Sequence, residues 1–349
     1  MQKYDISSLT ISEITALFAD FGQKNFRAKQ VFSWLNKNLC EDFSEMSNIS
    51  KEFREILDQN FSITKSKILR KLESLEDGTI KYLFNLEKNS IIESVLMRYE
   101  FGNSVCISTQ AGCKMGCSFC ASALNGFDRN LTAGEMLAQV YHIQKDIGER
   151  ISNVVLMGSG EPLDNFENVL KFIEIINAPE GLALGRRHIT ISTCGIVPKI
   201  YELADLKIQA NLAISLHAPN DEIRQKTMPI ANTYSIQEIL EACKYYSTKT
   251  GRRITYEYAL IDGFNNSKEH AKELASKLKG SLSYVNLIPV NDVSEKGYLK
   301  PAKENILNFY KTLKSLGVEA TIRRTLGSDI NAACGQLRAN YIKEDIKGD

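Results

Sequence analysis

Three closely spaced cysteines are the residues of this chain best suited to metal chemistry. Cys113, Cys117 and Cys120 form a C-x3-C-x2-C pattern, and an aromatic residue, Phe119, stands directly before the third. Three thiolates can each bind one iron of a four-iron, four-sulfur cluster. The fourth iron is then left without a protein ligand and is open to a small molecule. The pattern therefore predicts a 4Fe-4S cluster with these three cysteines as metal ligands.

Two other kinds of site are weaker interpretations of the same part of the chain. A structural zinc site needs a closed set of four nitrogen or sulfur ligands, and the nearest histidine in sequence, His142, lies on a separate predicted helix. The pair Gly158-x-Gly160 could begin a dinucleotide-binding loop. Leu163 replaces the next glycine that such a loop requires, which argues against a nucleotide fold.

The composition is that of an ordinary globular chain. Its 349 residues are 43% hydrophobic and 24% charged, with a formal net charge of +1. The neutral total gives no support for a nucleic-acid partner, although a local basic patch is compatible with it. The sequence contains no apolar run of about 18 residues and no secretory signal at its start, so we expect a cytoplasmic protein without a membrane partner. In such a chain, eight cysteines favour metal binding or catalysis over disulfides.

The elements that position the cysteines change in type near residue 90. Residues 1–90 are predicted to form a mainly helical accessory domain that ends in two strands around a turn at Asp77-Gly78. In residues 91–349, β-branched runs alternate with helical patterns. The predicted strands are 94–100, 104–109, 153–158, 188–193, 211–216, 253–261, 283–289 and 318–323. The predicted helices are 132–147, 166–177, 235–250, 267–279 and 302–316.

This alternation predicts an α/β fold with a parallel sheet and helices outside it. About six strand–helix repeats suit a partial (β/α)6 barrel. In such barrels, functional residues lie at the C-terminal ends of the strands. Several polar motifs fall at these ends, including the glycine pair that follows strand 153–158.

The motifs taken together resemble one family over nearly the whole chain. They are FRAKQVFSWL (26–35), CISTQAGCKMGCSFCASALNGFDRNL (106–131), LMGSGEPLDN (156–165), HITISTCGIVP (188–198), AISLHAPN (213–220), VNLIPVN (285–291) and IRRTLGSDINAACGQL (322–337). In this order they resemble the RlmN/Cfr family of radical S-adenosylmethionine (SAM) adenosine methyltransferases. The resemblance implies a radical SAM barrel in which SAM occupies the open iron and is cleaved to a 5′-deoxyadenosyl radical.

The resemblance also implies how a methyl group reaches an electron-poor adenine carbon. Cys334 takes a methyl from one SAM, and the radical formed from a second SAM abstracts a hydrogen from that S-methyl group. The carbon radical adds to the base, with Glu93 as the base that removes the carbon-bound proton. Cys106 then attacks the sulfur of Cys334 and releases the product with formation of a disulfide. Cys334, Cys106 and Glu93 are therefore the expected catalytic residues, and two SAM are expected per turnover.

Further residues match the family's SAM contacts. They are Gly160, Glu161, Ser192, Ser215, Leu216, His217 and Asn291. A carboxylate such as that of Glu161 is suited to accept hydrogen bonds from the SAM ammonium group. Two positions depart from the family pattern: Ser159 stands where methionine is usual, and Cys194 stands where a small or aliphatic residue is usual. The first raises a question about packing near SAM, and the second adds a thiol without an assigned role.

The expected partners also follow from the resemblance. The implied substrates are adenosine 2503 of 23S rRNA and adenosine 37 of tRNA, and the implied electron donor is a flavodoxin or ferredoxin. Pro162 favours methylation at carbon 2 over the resistance-conferring methylation at carbon 8, whose branch has alanine there. Two alternatives remain at this point: a radical SAM maturase that acts on a peptide, and an RNA-binding module with a structural metal centre.

Overall fold

The N-terminal part of the chain folds as a small helical unit. The computed structural model describes residues 3–87, 90–123, 126–290, 298–324 and 326–330. The unit contains helices α1 (Ile11–Ala19), α2 (Asn25–Asn36) and α3 (Lys51–Asn60), and the two-residue strands β1 (Tyr4–Asp5) and β2 (Phe61–Ser62) pair in parallel beside them. The three helices agree with the mainly helical structure predicted for this part of the chain.

A local sequence signal explains where α1 begins. Thr10 accepts a hydrogen bond from the backbone of Glu13, whose carboxylate in turn accepts one from the backbone of Thr10, which is a complete capping box. The ring of Phe18 packs edge-on against Phe53 with centroids 5.1 Å apart and against Phe61 at 5.8 Å. These buried aromatic contacts join α1 to α3 and β2.

A ten-stranded sheet organises the rest of the described chain. Its antiparallel part consists of β3 (Ser66–Glu73), β4 (Ile80–Leu86), β5 (Ile91–Tyr99) and β6 (Gly102–Cys106). A separate hairpin follows, formed by β7 (Gln110–Gly112) and β8 (Phe127–Asn130). The remaining strands are β9 (Ile151–Leu156), β10 (Ile189–Thr193), β11 (Asn211–Ser215), β12 (Ile254–Leu260), β13 (Ser283–Pro289) and β14 (Ala320–Ile322).

The order of the strands confirms the predicted partial barrel. Strands β6 and β9 to β14 are parallel and lie side by side in chain order. The connecting helices are α4 (Ala133–Ile147), α5 (Phe166–Asn177), α6 (Val197–Asp205), α7 (Asp221–Gln225), α8 (Ile236–Thr250), α9 (Lys268–Leu278) and α10 (Lys303–Ser315). Since β3 and β14 end the sheet and do not pair with each other, the barrel stays open within the described residues.

The two faces of the parallel strands differ in chemistry. Residues that pair directly across parallel strands share a face, as do residues two apart along one strand. Ile191 and Leu212 pair and are fully buried in the core that the outer helices cover. The opposite, inner face carries polar side chains, for example in the row Ser215, Glu257 and Asn286. This inner face is where a polar ligand can be held.

The eight predicted strands and five predicted helices of residues 91–349 are all confirmed. Helices α6 and α7 and the hairpin of β7 and β8 were not predicted, because short elements carry few residues of periodic pattern. The predicted domain boundary at residue 90 does not coincide with the edge of the large sheet. Strands β3 and β4 are hydrogen-bonded to β5, so the sheet extends back to Ser66.

A short segment after β14 connects the two edges of the sheet. Residues 326–330 leave β14 and reach the turn between β3 and β4, which we call the edge turn (residues 74–79). The backbone of Gly327 donates to Asp77 at 2.8 Å, and Asp329 accepts from the backbone of Leu75 at 2.9 Å. Ser328 donates to the carboxylate of Glu76 at 2.8 Å. The segment thus ties the last strand to the first ones across the open side of the barrel.

Candidate active site

The three cysteines of the C-x3-C-x2-C pattern lie in the loop between β7 and β8. The backbone of Cys113 donates to Gly126 at 3.1 Å, which closes the loop at its base. Gly112 has a φ of +80°, and a Cβ there would overlap the carbonyl oxygen of Gly126. Only glycine therefore fits directly before the first cysteine. The backbone of Ser118 donates to Thr227 at 2.8 Å, which fixes the far side of the loop to the segment after α7.

The loop brings the thiols into electrostatic range of one another. Burial, with a smaller contribution from the Cys120 thiol, raises the pKa of Cys113 to about 11 and that of Cys117 to about 12. Buried thiols of this kind ionise at neutral pH only when a metal stabilises the thiolate. Across the described ranges, no three His, Cys, Asp or Glu side chains converge on a single metal ion. A cubane fits this donor set, because each thiolate binds a different iron.

The segment after β9 packs against the residues between β6 and the cysteine loop. Gly158 donates to the carbonyl of Ile107 at 3.0 Å, and the carbonyl of Ser159 accepts from Thr109 at 2.9 Å and Gln110 at 3.1 Å. The Ser159 hydroxyl donates to the carbonyl of Gly112 at 3.2 Å. The sequence departure at Ser159 therefore has a structural role: its hydroxyl links the glycine-rich segment to the residue directly before Cys113.

Glu161 is a buried carboxylate between two strand ends. Its side chain is 3% exposed and accepts backbone hydrogen bonds from Leu163 at 3.0 Å and from Cys194 at 2.7 Å. Burial raises the pKa of Glu161, while these hydrogen bonds oppose the rise. Side-chain hydrogen bonds from Thr193 and Cys194 also reach this carboxylate. An ammonium group of a ligand would share or replace these hydrogen bonds, and the role of Glu161 in SAM binding stays a prediction.

Gly160 provides the first test of this arrangement. It has a φ of +108°, and a Cβ there would lie 2.6 Å from Cβ and 2.7 Å from the backbone nitrogen of Gln110. We expect Gly160→Ala to lower the free energy of unfolding by about 3 kcal/mol and to abolish SAM binding, because the backbone must shift. Gly148→Ala is the matched control, since Gly148 also has a positive φ of +65° but has open space around it. Thermal unfolding and SAM titration of both variants measure the difference, and equal effects in both would contradict the steric argument.

The ends of β10 and β11 supply the other predicted SAM contacts that the structure describes. Ser192 and Ser215 lie on the inner face, and Leu216 is fully buried. His217 has a φ of +56°, and its Nδ1 accepts a hydrogen bond from the backbone of Ala259 at 2.9 Å. The His217 ring packs edge-on against Phe119 of the cysteine loop with centroids 4.9 Å apart. The histidine thus links the cysteine loop to the end of β11.

The buried ring of His217 should make stability depend on pH. Burial lowers the pKa of His217 to about 3 from the ordinary 6.5, with a smaller contribution from Arg224. Because the folded chain has the lower His217 pKa, the unfolded chain takes up the proton first as the pH falls. The free energy of unfolding is therefore highest above pH 6.5 and decreases as the pH falls toward 3. We expect the cluster-free chain to lose about 1.4 kcal/mol per pH unit below 6.5 through this group. Chemical denaturation at pH 7.0 and 5.5 should show a smaller loss in His217→Asn, whose side chain tolerates positive φ.

The exposed His188 offers the matched control for this measurement, because its side chain meets water in both the folded and unfolded states. His188→Asn makes the same substitution at an exposed position and measures the effect of losing a histidine as such. A pH dependence in His217→Asn that equals the parent's would show that His217 is not the titrating group.

Cys106 lies at the end of β6 on the inner face of the barrel. It pairs with Val155 of β9, which pairs with Thr190 of β10, two residues from Ser192. Burial raises the pKa of Cys106 to about 11, and the Arg323 guanidinium opposes the rise. The thiol therefore shares a face with the residues predicted to contact SAM.

Glu93 lies beside Cys106 and is not a surface residue. Its side chain forms an ion pair with Lys81 at 3.2 Å, and both side chains are almost completely buried. Lys81 pairs with Val95 of β5, and Val95 pairs with Cys106, so the lysine and the cysteine lie in one row across the sheet. The sequence indicated Glu93 but not Lys81, because a lysine in a short strand is usually exposed.

Two predicted residues, Cys334 and Asn291, lie outside the described residues. The structure also shows a buried residue that the sequence did not indicate. Arg224 of α7 has no exposed surface and donates hydrogen bonds to the ends of β10 and β11. Its position in a polar stretch, four residues after Asn220, is typical of a surface arginine and gave no signal.

Comparison with known proteins agrees with both parts of this architecture. Residues 4–63 match the family model of the ribosomal RNA large subunit methyltransferase N-terminal domain, and residues 107–275 match that of the radical SAM superfamily. A probable dual-specificity RNA methyltransferase RlmN from Alkaliphilus oremlandii is 57% identical over 343 residues, which is 98% of this chain and 100% of that protein. Its counterpart from Clostridium perfringens is 57% identical over 97% of this chain and 98% of its own length.

The chain belongs to the RlmN family. A crystal structure of a radical SAM methyltransferase from Sphaerobacter thermophilus has the same fold, with a TM-score of 0.90, 42% identity, and coverage of 95% of this chain and 98% of that one. RlmN membership confirms the radical SAM fold and the methyltransferase class, and it implies a 4Fe-4S cluster and SAM. It also favours an RNA methyltransferase over a peptide maturase.

The matched regions of the RlmN family coincide with the observed units. The N-terminal match covers β1, the three helices and β2, and the radical SAM match begins just after Cys106. Residues 66–86, which form β3 and β4, fall between the two matched regions. Within the described residues, no helix is both long enough and apolar enough to cross a membrane.

Proposed function

We propose that this chain methylates carbon 2 of adenosine in RNA, at adenosine 2503 of 23S rRNA and adenosine 37 of tRNA. The observation that carries the proposal is the shared inner face of the barrel. Cys106, Glu93 with Lys81, and the ends of β10 and β11 all border the space beside the three-cysteine loop. The curated relatives are named dual-specificity RNA methyltransferases, which supports RNA as the substrate.

The residues of this chain divide the chemistry among them. Cys113, Cys117 and Cys120 hold the cluster, which when bound supplies the electron that cleaves SAM. Gly160, Glu161, Ser192, Ser215, Leu216, His217 and Asn291 hold SAM. Cys334 carries the methyl group from a first SAM to the base, and a second SAM provides the radical. Glu93 accepts the proton from carbon 2, and Cys106 displaces the product from Cys334 by forming a disulfide.

The environment of Glu93 supports its role as the proton acceptor. A carboxylate in an almost fully buried site can take a proton without competition from water, and Lys81 holds it in one orientation at 3.2 Å. The backbone carbonyl of Glu93 accepts from the Ser108 hydroxyl at 2.7 Å, which fixes the strand relative to the chain after Cys106. These contacts fix the position of Glu93, the proposed base, relative to Cys106, the thiol proposed to release the product.

Product analysis with the reconstituted protein tests this function. Anaerobic reconstitution with iron and sulfide, followed by SAM, a low-potential reductant such as reduced flavodoxin or ferredoxin, and rRNA or tRNA, should yield 2-methyladenosine. Mass spectrometry of the nucleosides identifies the product, and 8-methyladenosine would instead indicate the other branch. Each methyl group should be accompanied by one S-adenosylhomocysteine and one 5′-deoxyadenosine, whereas one SAM per methyl would show direct transfer. Because ribosomes and tRNA are found in the cytoplasm, we propose that the reaction takes place there.

A further inference from the structure

Arg224 is a buried cation whose hydrogen bonds go to backbone carbonyls. Its guanidinium has no exposed surface. It donates to the carbonyl of Cys194 at 2.6 Å, Leu216 at 3.2 Å, Ser215 at 3.4 Å and Tyr234 at 3.5 Å. These carbonyls orient a guanidinium but carry no charge. Because an arginine stays protonated in proteins, a full positive charge is buried at the ends of β10 and β11.

Within the described part of the chain, no carboxylate forms an ion pair with Arg224. The nearest acid that acts on it, Asp221, uses its carboxylate to accept the backbone hydrogen bond of Ile236 at 2.8 Å. A buried charge without a counter-ion is strongly unfavourable, so folded proteins pair such charges or bind them to ions of opposite sign. The position of Arg224 therefore requires an anion other than a protein carboxylate.

The cysteine loop contacts the segments that surround Arg224 from two sides. Ser118 donates to the carbonyl of Thr227 at 2.8 Å, and the Phe119 ring packs against His217, the residue after Leu216, with centroids 4.9 Å apart. Burial lowers the pKa of Arg224, and Cys194 and Cys117 oppose this shift most strongly. In return, the guanidinium lowers the pKa of the Cys117 thiol. The backbone N–H of Thr227 in turn donates to the backbone carbonyl of Arg224 at 3.1 Å. Arg224 thus lies next to the cluster-binding loop, near the part that carries Cys117 and Ser118.

We propose that Arg224 is the built-in counter-ion of the iron–sulfur cluster and raises its reduction potential. A [4Fe-4S]2+ core with three thiolates formally carries one negative charge, and it carries two after it accepts one electron from a low-potential donor. A fixed positive charge beside the cluster stabilises the second state more than the first. Net charge and neighbouring dipoles are known to set the potentials of such clusters. Arg224 is a positioning residue in this proposal, since it acts through the cluster and does not touch the substrate.

The same arginine explains why the ends of two strands have a fixed geometry. Its forked guanidinium group joins the carbonyl of Cys194, after β10, to those of Ser215 and Leu216, at the end of β11. The backbone N–H of Cys194 donates to Glu161, so the arginine also fixes the partner of the predicted SAM-binding carboxylate. The test must therefore separate the charge of Arg224 from its hydrogen bonds.

The test compares Arg224→Gln, which is neutral but keeps an N–H donor, with Arg224→Lys, which keeps the charge but loses the fork. The midpoint potential of the reconstituted cluster is measured by EPR-monitored redox titration, without SAM or RNA, together with the iron and sulfide content. We expect Arg224→Gln to lower the reduction equilibrium constant at least tenfold, which is 59 mV for one electron. Arg224→Lys should stay closer to the parent than to the glutamine variant. Because RNA is absent, the outcome is independent of the proposed methylation.

Each other outcome decides the proposal as well. An unchanged potential in an iron-replete Arg224→Gln overturns it, and so does an equal shift in both variants, since the fork rather than the charge would then be responsible. If Arg224→Gln fails to hold iron while Arg224→Lys retains it, the required feature is the positive charge, as proposed. If both fail to hold iron, the proposal is wrong.

A matched control is available at the other end of β11. Arg252 is half-buried and donates to Asn211 at the opposite end of β11, roughly 13 Å from Ser215 at the rise of an extended strand. Arg252→Gln removes the same charge by the same substitution and should leave the potential unchanged. A shift as large as that of Arg224→Gln would show that the effect is not local to the cysteine loop, and would overturn the proposal.

Discussion

Replacing Cys106 with alanine should stop turnover and leave RNA covalently attached to the protein. In the proposed sequence, the methylene carbon that joins Cys334 to the base is released only when the Cys106 thiol attacks the Cys334 sulfur. Without that thiol, methyl transfer to Cys334 and addition to the base still proceed, so an adduct accumulates. We expect the multiple-turnover rate to fall about 10³-fold or more. Denaturing gels of labelled RNA and mass spectrometry of the nuclease-treated adduct provide the measurement.

Cys40→Ala is the matched control for this adduct. Cys40 is another buried thiol, 5% exposed, but it lies in the N-terminal helical unit away from the inner face of the barrel. It should turn over at the parental rate without an adduct. If Cys106→Ala released free methylated RNA at the parental rate, another group would have to resolve the intermediate. The position of Cys106 on the inner face of the barrel would then have no role in turnover.

Replacing Cys117 with alanine should abolish both cluster binding and SAM cleavage. Two thiolates can hold only two irons of the cubane, and Cys117 is the thiol that lies between the other two in sequence. We expect cleavage of SAM to 5′-deoxyadenosine to fall about 10³-fold or more, because removal of one member of a unit that acts together eliminates most of its effect. Iron and sulfide analysis after reconstitution and quantification of 5′-deoxyadenosine provide the measurement.

Cys243→Ala separates loss of the cluster from loss of a buried cysteine. Cys243 lies on α8 and is 1% exposed within the main core. Its replacement should lower the free energy of unfolding by about 1 kcal/mol through a small cavity, with full iron content and full SAM cleavage. Full iron content in Cys117→Ala would show that a residue other than the predicted three completes the ligand set.

The sequence predicted most of the fold because long helices and strands follow one another in turn from α4 to β14. Most strands are short β-branched runs, and three long helices, α4, α8 and α9, begin at a capping box, as in the predicted Thr132–Glu135 box of α4. The spacing of Cys113, Cys117 and Cys120 indicated the cluster loop, and their common loop is observed. The placement of Glu161 at a strand end was also predicted, because parallel strands direct their C-terminal ends to one edge.

Several parts of the site depend on contacts that a sequence does not display. The role of Arg224 can be inferred only once its burial is known, because an arginine in a polar stretch of sequence is expected to be exposed to solvent. The hydroxyl of Ser159 bonds to a carbonyl 47 residues earlier, and Lys81 meets Glu93 across two antiparallel strands. Such pairings are set by strand register, which single-sequence patterns do not specify. The same holds for β3 and β4, whose membership of the large sheet follows from pairing with β5.

The segment that joins β14 to the edge turn also has a consequence for the order of folding. Its hydrogen bonds link residues 250 to 254 positions apart, among the most distant in the chain, so the loop that they close is nearly as long as the barrel itself. Contacts of such sequence separation form late and open early, because a long chain must be ordered before they contribute. The segment of residues 326–330 is therefore held against the edge turn only when all strands from β3 to β14 are assembled, so that its hydrogen bonds report a complete sheet.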